Sequence, residues 1–224
     1  MTDEQYTKAP FYRVRRMTAW LRAQGYGVNP KQVRRFLRRL GLQAIYPHRR
    51  IGFSSPGHKL YPYLLEGVKV ERPDQVWGAD ITYISLAQGF AYLIAIMDWY
   101  SRYVVSWEVS STLDSRFCAE ALSKALWTSR PETFNTDQGY SSPLRSLEVR
   151  ISMDGRSRVY DNIFVERLWR TVKYEEVYLH AYQTISEARQ GLGAYFLFYN
   201  MERLHQSLSY RKPSEVYFGA SARV

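Results

Sequence analysis

With 224 residues, 46% of them hydrophobic and 16% aromatic, this chain can close a sizeable core without covalent staples, which excludes a disordered segment. A single cysteine, Cys118, excludes an internal disulfide and a cysteine zinc cluster, and the lack of an eighteen-residue apolar run or a basic-then-apolar leader sets membrane and secretory readings aside. The net charge of +10 is unevenly placed: residues 1–70 carry an excess of +11 and the remainder −1, which points to nucleic acid as the partner of the first part.

The stretch PFYRVRRMTAWLRAQGYGVNPKQVRRFLRRLGL predicts two short helices. The first, from about Phe11 to Gln24, gathers Val14, Met17, Ala19, Trp20 and Leu21 on a broad apolar side and stops near Gly25 and Gly27. Asn29 is placed to cap the second, with Pro30 at its first position and Gly41 at its end. Val33, Phe36, Leu37 and Leu40 recur at helical spacing, while Arg34, Arg35, Arg38 and Arg39 occupy its other faces as candidate DNA contacts. A helix pair with an arginine-studded second member suits DNA docking.

Residues 46–72 read as a linker, with Pro, Gly and Ser clustered between Pro47 and Gly67, and with Arg49, Arg50, His58 and Lys59 available to phosphates. The expected division is therefore a helical part at 1–45, a linker at 46–72 and a second domain at 73–224.

From Gln75 the period changes. QVWGADITYISL alternates and is rich in β-branched and aromatic residues, and GFAYLIAIMDWYSRYVVSWEVS gives two more strands around turns at Gly89 and Tyr100–Arg102. A helix follows, capped by Thr112 or Asp114 and striped by Phe117, Ala121, Leu122 and Leu126, with Cys118 in its core side. ETFNTDQG and VRISMDG read as short strands, and two longer helical patterns complete the chain. The expected fold class is α/β, a mixed sheet with flanking helices preceded by a small helical part.

Three acids stand in apolar company: Asp80 in the first strand, Asp137 at the end of the fourth, and Glu166 early in a helix among Phe164, Val165, Leu168 and Trp169. A carboxylate there costs several kcal/mol unless it is paired or binds a cation. Clustered, they would suit Mg²⁺, a hard cation that prefers oxygen, and two such ions roughly 4 Å apart can clamp a phosphodiester displacement. On the residues alone, turn and salt-bridge roles remain equally open. Among competing acids, Asp98 beside Arg102 reads as an ion-pair partner, Asp154 as a turn residue, and Asp161 as a helix cap with Asn162. Arg203, His205 and Arg211 lack a spacing that would support a covalent tyrosine recombinase, and no serine-hydrolase elbow, Walker loop or paired-histidine zinc motif is found. Glu202, Arg203 and His205 read as bracing for the last long helix.

The run WGADITYI, GFAYLIAIMDWYSRYVVSW, NTDQG, ISMDGRSRVYDNIFVERLWRTVKYEEVYL and FYNMERLHQSLSYRKPSEVYF closely resembles the second-frame transposases of IS3-family insertion sequences and the wider retroviral-integrase-like group. PFYRVRRMTAWLR resembles the helix-turn-helix segment before the integrase core of that family. The resemblance implies an RNase H-like fold and a DDE triad: Asp80 matches the acid of its W-x-x-D-I-T-Y-I stretch, Asp137 that of D-Q-G, and Glu166 that of D-N-x-x-x-E. It also implies two Mg²⁺ or Mn²⁺ ions, DNA cleavage and strand transfer between insertion-sequence ends and target, self-association, a first-frame transposase partner, and a bacterial cytoplasmic location at the nucleoid. Lys173, seven residues after Glu166 and so on its helix face, matches a position that serves DNA phosphates. The chain departs from the pattern between Asp137 and Glu166, where 28 residues intervene and relatives carry a longer segment. That shortening motivates the alternative expectation of an inactive, transposase-derived DNA-binding protein.

Overall fold

The computed structural model describes residues 5, 9, 12–41, 64, 65, 67–136, 149–153 and 163–219. Asp137, Asp154, Asp161, Arg49, Arg50, His58 and Lys59, and most of the segment read as a linker, lie outside the described residues.

The two N-terminal helices are α1, Val14–Ala23, and α2, Pro30–Arg39. Between them Gly25 takes a left-handed φ of 86°, and the Arg22 side chain donates to the Val28 carbonyl at 2.9 Å, drawing the turn back onto α1. Asn29 caps α2 reciprocally: its side chain accepts from the Gln32 N–H and its own N–H donates to the Gln32 side chain, both at 2.9 Å. Val33 and Leu37 are buried with Ala9, Tyr12, Met17 and Leu21, but Phe36 and Leu40 are exposed, so the apolar stripe of α2 is narrower than its spacing suggested. A ten-residue helix packed on one neighbour has room for a single row of contacts, and the flanking apolar residues face out.

Three strands follow as an antiparallel meander: β1, Val76–Ser85; β2, Phe90–Asp98; and β3, Val104–Ser110. Helix α3, Ser115–Thr128, begins at Asp114, whose carboxylate accepts from the Arg116 and Phe117 N–H groups. Strands β4, Thr133–Thr136, and β5, Arg150–Met153, run parallel to β1, giving the sheet order β3-β2-β1-β4-β5. Helix α4, Ile163–Val172, passes through a π-helical turn, Lys173–Val177, into the short α5, Tyr178–His180. Helix α6, Ile185–Met201, and the short α7, Pro213–Tyr217, close the fold.

Alternation along the strands separates two cores. Trp77, Ala79, Ile94, Ile96 and Phe134 meet Phe117, Cys118, Ala121 and Leu122 of α3 on one face. Ile84, Leu93, Ala95, Met97 and Val104 meet Val165, Leu168, Trp169 and Val172 of α4, together with Leu192, Tyr195 and Phe196 of α6, on the other. Full burial of each valine, leucine, isoleucine, phenylalanine or methionine among them contributes roughly 1.5–3 kcal/mol, so both helical layers are fixed to the sheet. The arrangement is an RNase H-like mixed sheet with flanking helices.

The helix pair packs on this body. Leu179 and Phe198 lie against its core, the Leu204 N–H donates to the Tyr12 hydroxyl at 3.3 Å, and Arg16 reaches Glu175 at 2.7 Å. No helix among the described residues is long and apolar enough to cross a membrane.

Candidate active site

Asp80 sits mid-way along β1, opposite Ala95 of β2. Trp77 and Ala79 point toward α3 and Ile84 toward α4, so a period of two puts Asp80 on the α4 face. Its carboxylate is fixed from two sides. Oδ1 accepts from the Ile81 N–H at 2.8 Å, and Oδ2 accepts from the indole Nε1 of Trp169 at 2.8 Å.

The second bond orients α4. An indole N–H can only donate, and the buried ring of Trp169 finds its acceptor on β1. At about 100° per residue, Glu166 and Lys173 share the flank of α4 that carries Trp169. Lys173 feels Asp80 directly: burial pulls its ammonium below the usual lysine range, and the Asp80 carboxylate opposes that shift. Glu166 stands on the same flank one turn, roughly 5 Å, before Trp169. It is exposed, and its side chain makes no hydrogen bond or ion pair with another described residue.

Strand β4 leads to the same place. Its last residue, Thr136, pairs with Ala79, the neighbour of Asp80 on β1. Asp137, next in the chain, lies outside the described residues. Among the described residues no three His, Cys, Asp or Glu groups gather to hold a metal ion. The donors that are described nevertheless fit a hard divalent cation: an oriented strand carboxylate beside a helix flank whose own carboxylate has no cationic partner among those residues.

Asp98 takes a different role from the one its neighbour suggested. It is fully buried, and its oxygens accept from the Ser101 N–H and hydroxyl at 2.7 and 2.6 Å and from the Asp74 N–H at 2.8 Å. Arg102 forms no ion pair with it. The Arg102 guanidinium donates to the Trp99 carbonyl and lies 3.4 Å from the centre of the Phe164 ring. The tight turn supplies Asp98 with backbone donors at hand, and Arg102, held at a φ of 64°, is directed elsewhere. Burial pushes the Asp98 carboxyl up against the opposing pull of those hydrogen bonds.

Arg34, Arg35, Arg38 and Arg39 are all exposed on α2, leaving its Val33–Leu37 side to the core. Trp169 joins the candidate site although it is not an acid. Its signal was present: a tryptophan three residues after one candidate acid and four before a candidate lysine, whose N–H needs a partner once buried.

Comparison with known proteins matches residues 70–155 and, separately, 147–213 to integrase core domain families, and residues 3–50 to an HTH-like domain family. The chain is 30% identical over 222 residues to the transposase for insertion sequence element IS904 of Lactococcus lactis subsp. lactis (strain IL1403), covering 91% of this chain and 86% of that relative. It is 34% identical over 177 residues to transposase InsF for insertion sequence IS3A of Escherichia coli (strain K12), covering 73% and 62% of the two chains. Against the transposase for insertion sequence element IS629 of Shigella sonnei it is 32% identical over 154 residues and spans only 52% of that relative's length. Two solved structures share the fold. A chain of the simian T-cell lymphotropic virus intasome in complex with PP2A regulatory subunit B56 gamma superposes with a TM-score of 0.57 at 15% identity, covering 100% of this chain and 77% of that one. The HTLV-2 integrase catalytic core domain in complex with magnesium gives 0.52 at 16% identity, covering 66% and 98%.

Proposed function

This chain belongs to the IS3 family of insertion-sequence transposases, and from that membership we propose that it cleaves and joins DNA strands as a metal-dependent polynucleotidyl transferase whose acids are Asp80, Asp137 and Glu166. The observation that carries this reading is the 2.8 Å bond from the Trp169 indole to Asp80, which ties the helix flank bearing Glu166 and Lys173 to the strand bearing Asp80.

In this reading the three carboxylates would hold two Mg²⁺ or Mn²⁺ ions, with Asp80 oriented for that purpose by its bonds from the Ile81 N–H and the Trp169 indole. Bound there, the ions supply Lewis acidity at the phosphorus oxygens and an activated nucleophile for in-line displacement. The chain's own residues set the geometry. Trp169 holds Asp80 in place, and the first turn of α4 presents Glu166. Lys173, partly buried and attracted to Asp80, places a positive charge for a phosphate next to the reacting one. The insertion-sequence end is cut to leave a 3′-hydroxyl, and that hydroxyl displaces a phosphodiester of the target at the same site, with no covalent protein–DNA bond.

Labour is divided along the chain: residues 1–45 grip DNA through Arg34, Arg35, Arg38 and Arg39, residues 46–72 connect, and residues 73–224 cut. Self-association, a first-frame transposase partner and action at the bacterial nucleoid in the cytoplasm complete the proposal.

The test uses a labelled duplex carrying a candidate element end, with Mn²⁺ or Mg²⁺. The wild-type protein is expected to nick it, while Asp80→Asn and Glu166→Gln lose nicking and still bind the duplex in a chelator. Nicking that survives either substitution, or that proceeds without metal, would sink the proposal.

A further inference from the structure

On the opposite flank of α4 from Trp169 lies a cavity of 190 Å³, lined by Phe164, Arg167, Leu168 and Thr171. Its other walls come from distant parts of the chain: Arg16 of α1, Arg102 of the β2–β3 turn, and Arg203 and His205 after α6. At about 100° per residue, Arg167 and Thr171 lie roughly 120–160° around the helix from Trp169 and Lys173, so this is a separate concavity from the Asp80 site.

Its electrostatics are one-sided. Four guanidiniums line it, and Glu175 bonds two of them, accepting from Arg16 at 2.7 Å and from two nitrogens of Arg203 at 2.7 Å each. Arg102 and Arg167 remain without an ion pair among the described residues. Arg102 is also largely withdrawn from water against Phe164, and burial lowers its pKa to about 10. Arg167 is exposed at the rim. His205 adds polarity without charge. Arg203 can only donate, so the 2.9 Å contact to Nε2 makes that nitrogen an acceptor and leaves the proton on Nδ1. Burial and the surrounding arginines hold the ring well below its usual pKa.

We propose that this cavity binds a phosphate group, clamped by Arg102 and Arg167 with Gln206 and Ser207 at the mouth. Guanidinium forks match phosphate oxygens in geometry, and Arg102, which Asp98 attracts without a contact ion pair, gains an anion in direct contact. The volume is below the roughly 300–1,000 Å³ of ordinary small-molecule pockets, which suits one tetrahedral group rather than a whole nucleotide. Because Arg16 of the helix pair and Arg203 of the body both form the wall, a phosphate there would engage both parts of the chain at once. The inference rests on the cavity alone and stands whether or not the acids of β1, β4 and α4 cut DNA.

The experiment replaces Arg167, which has no ion pair or hydrogen bond to lose among the described residues. Arg167→Gln and wild type are compared in a chelator, so that cleavage plays no part, after confirming equal thermal midpoints. Two probes are used: the salt dependence of duplex binding by fluorescence anisotropy, and ³¹P line broadening of inorganic phosphate. Loss of about one unit from the salt slope assigns the pocket to a strand phosphate. An unchanged slope with lost phosphate broadening assigns it to free phosphate. If Arg167→Gln alters neither, the pocket binds no phosphate and the proposal is overturned.

Discussion

Arg203 and Glu175 meet through two 2.7 Å hydrogen bonds, Nε to Oε2 and a terminal guanidinium nitrogen to Oε1, with side chains only 3% and 4% exposed. Tyr195 donates to the same carboxylate at 2.9 Å, and Arg16 arrives from α1 at 2.7 Å. Every oxygen of a deeply buried charge is thereby satisfied, and one carboxylate joins the π-helical turn, α6, the chain after α6 and the N-terminal helix pair.

Removing that carboxylate leaves Arg203 buried with its charge uncompensated. Glu175→Gln is expected to destabilise the protein by about 3 kcal/mol or more, read as a lower urea midpoint at neutral pH. The pH dependence has a definite sign. Burial pushes the Glu175 carboxyl up, but Arg203 and Arg16 outweigh it and hold its pKa below the usual glutamate range. A depressed folded-state pKa gives stability that is present above the unfolded value of about 4.3 and is lost as pH falls through the folded one. The gap between wild type and Glu175→Gln should therefore narrow on acidification below about pH 4. Glu176, whose carboxyl is pushed up by burial, contributes in the opposite sense and is common to both proteins. A constant gap across that range would contradict the assignment.

In the proposed site Trp169 acts through Asp80, as a positioning residue. Trp169→Phe keeps an aromatic ring on the sheet and removes the donor to Oδ2. Hydrogen bonds to charged groups contribute about 1.5–3 kcal/mol, so strand cleavage is expected to slow by about tenfold or more. The loss should fall on kcat, with KM and duplex affinity in a chelator little changed. An equal loss in KM, or a collapse of the thermal midpoint matching the loss in rate, would assign Trp169 a purely structural part.

Gly191 in α6 is expected to resist even alanine. A Cβ there would lie 2.2 Å from the Tyr182 hydroxyl oxygen and 2.7 Å from two ring carbons. Tyr182 is buried and its hydroxyl donates to Glu176, so the ring has little freedom to retreat. Gly191→Ala gains about 1 kcal/mol of helix propensity yet forces an overpacked contact that costs roughly 1–3 kcal/mol. A lower urea midpoint is expected, and a raised one would show that the contact yields easily.

Local chemistry made much of this legible from the chain alone. Asn29 with Gln32, and Asp114 with the amides two and three residues on, are caps written within four residues. The alternation through β1 and the stripe of Phe117, Ala121 and Leu122 each repeat at the period of their element, so strand and helix could be assigned before any contact was known. The charge excess of residues 1–70 likewise needed only counting.

Partner choice across long separations was settled by packing. Ser101 is a local partner of Asp98, but nothing near Asp98 in sequence says that the Asp74 N–H will join it while Arg102 turns to Phe164, 62 positions away. Nothing near Asp80 announces Trp169, 89 residues on, or near Arg16 announces Glu175, 159 residues on. Caps, periods and net charge are properties of short windows and are determined by sequence spacing. A buried donor takes whichever acceptor the assembled layers bring within 3 Å, and only the stacking of α4 and α6 on the sheet, with the helix pair against them, made that choice.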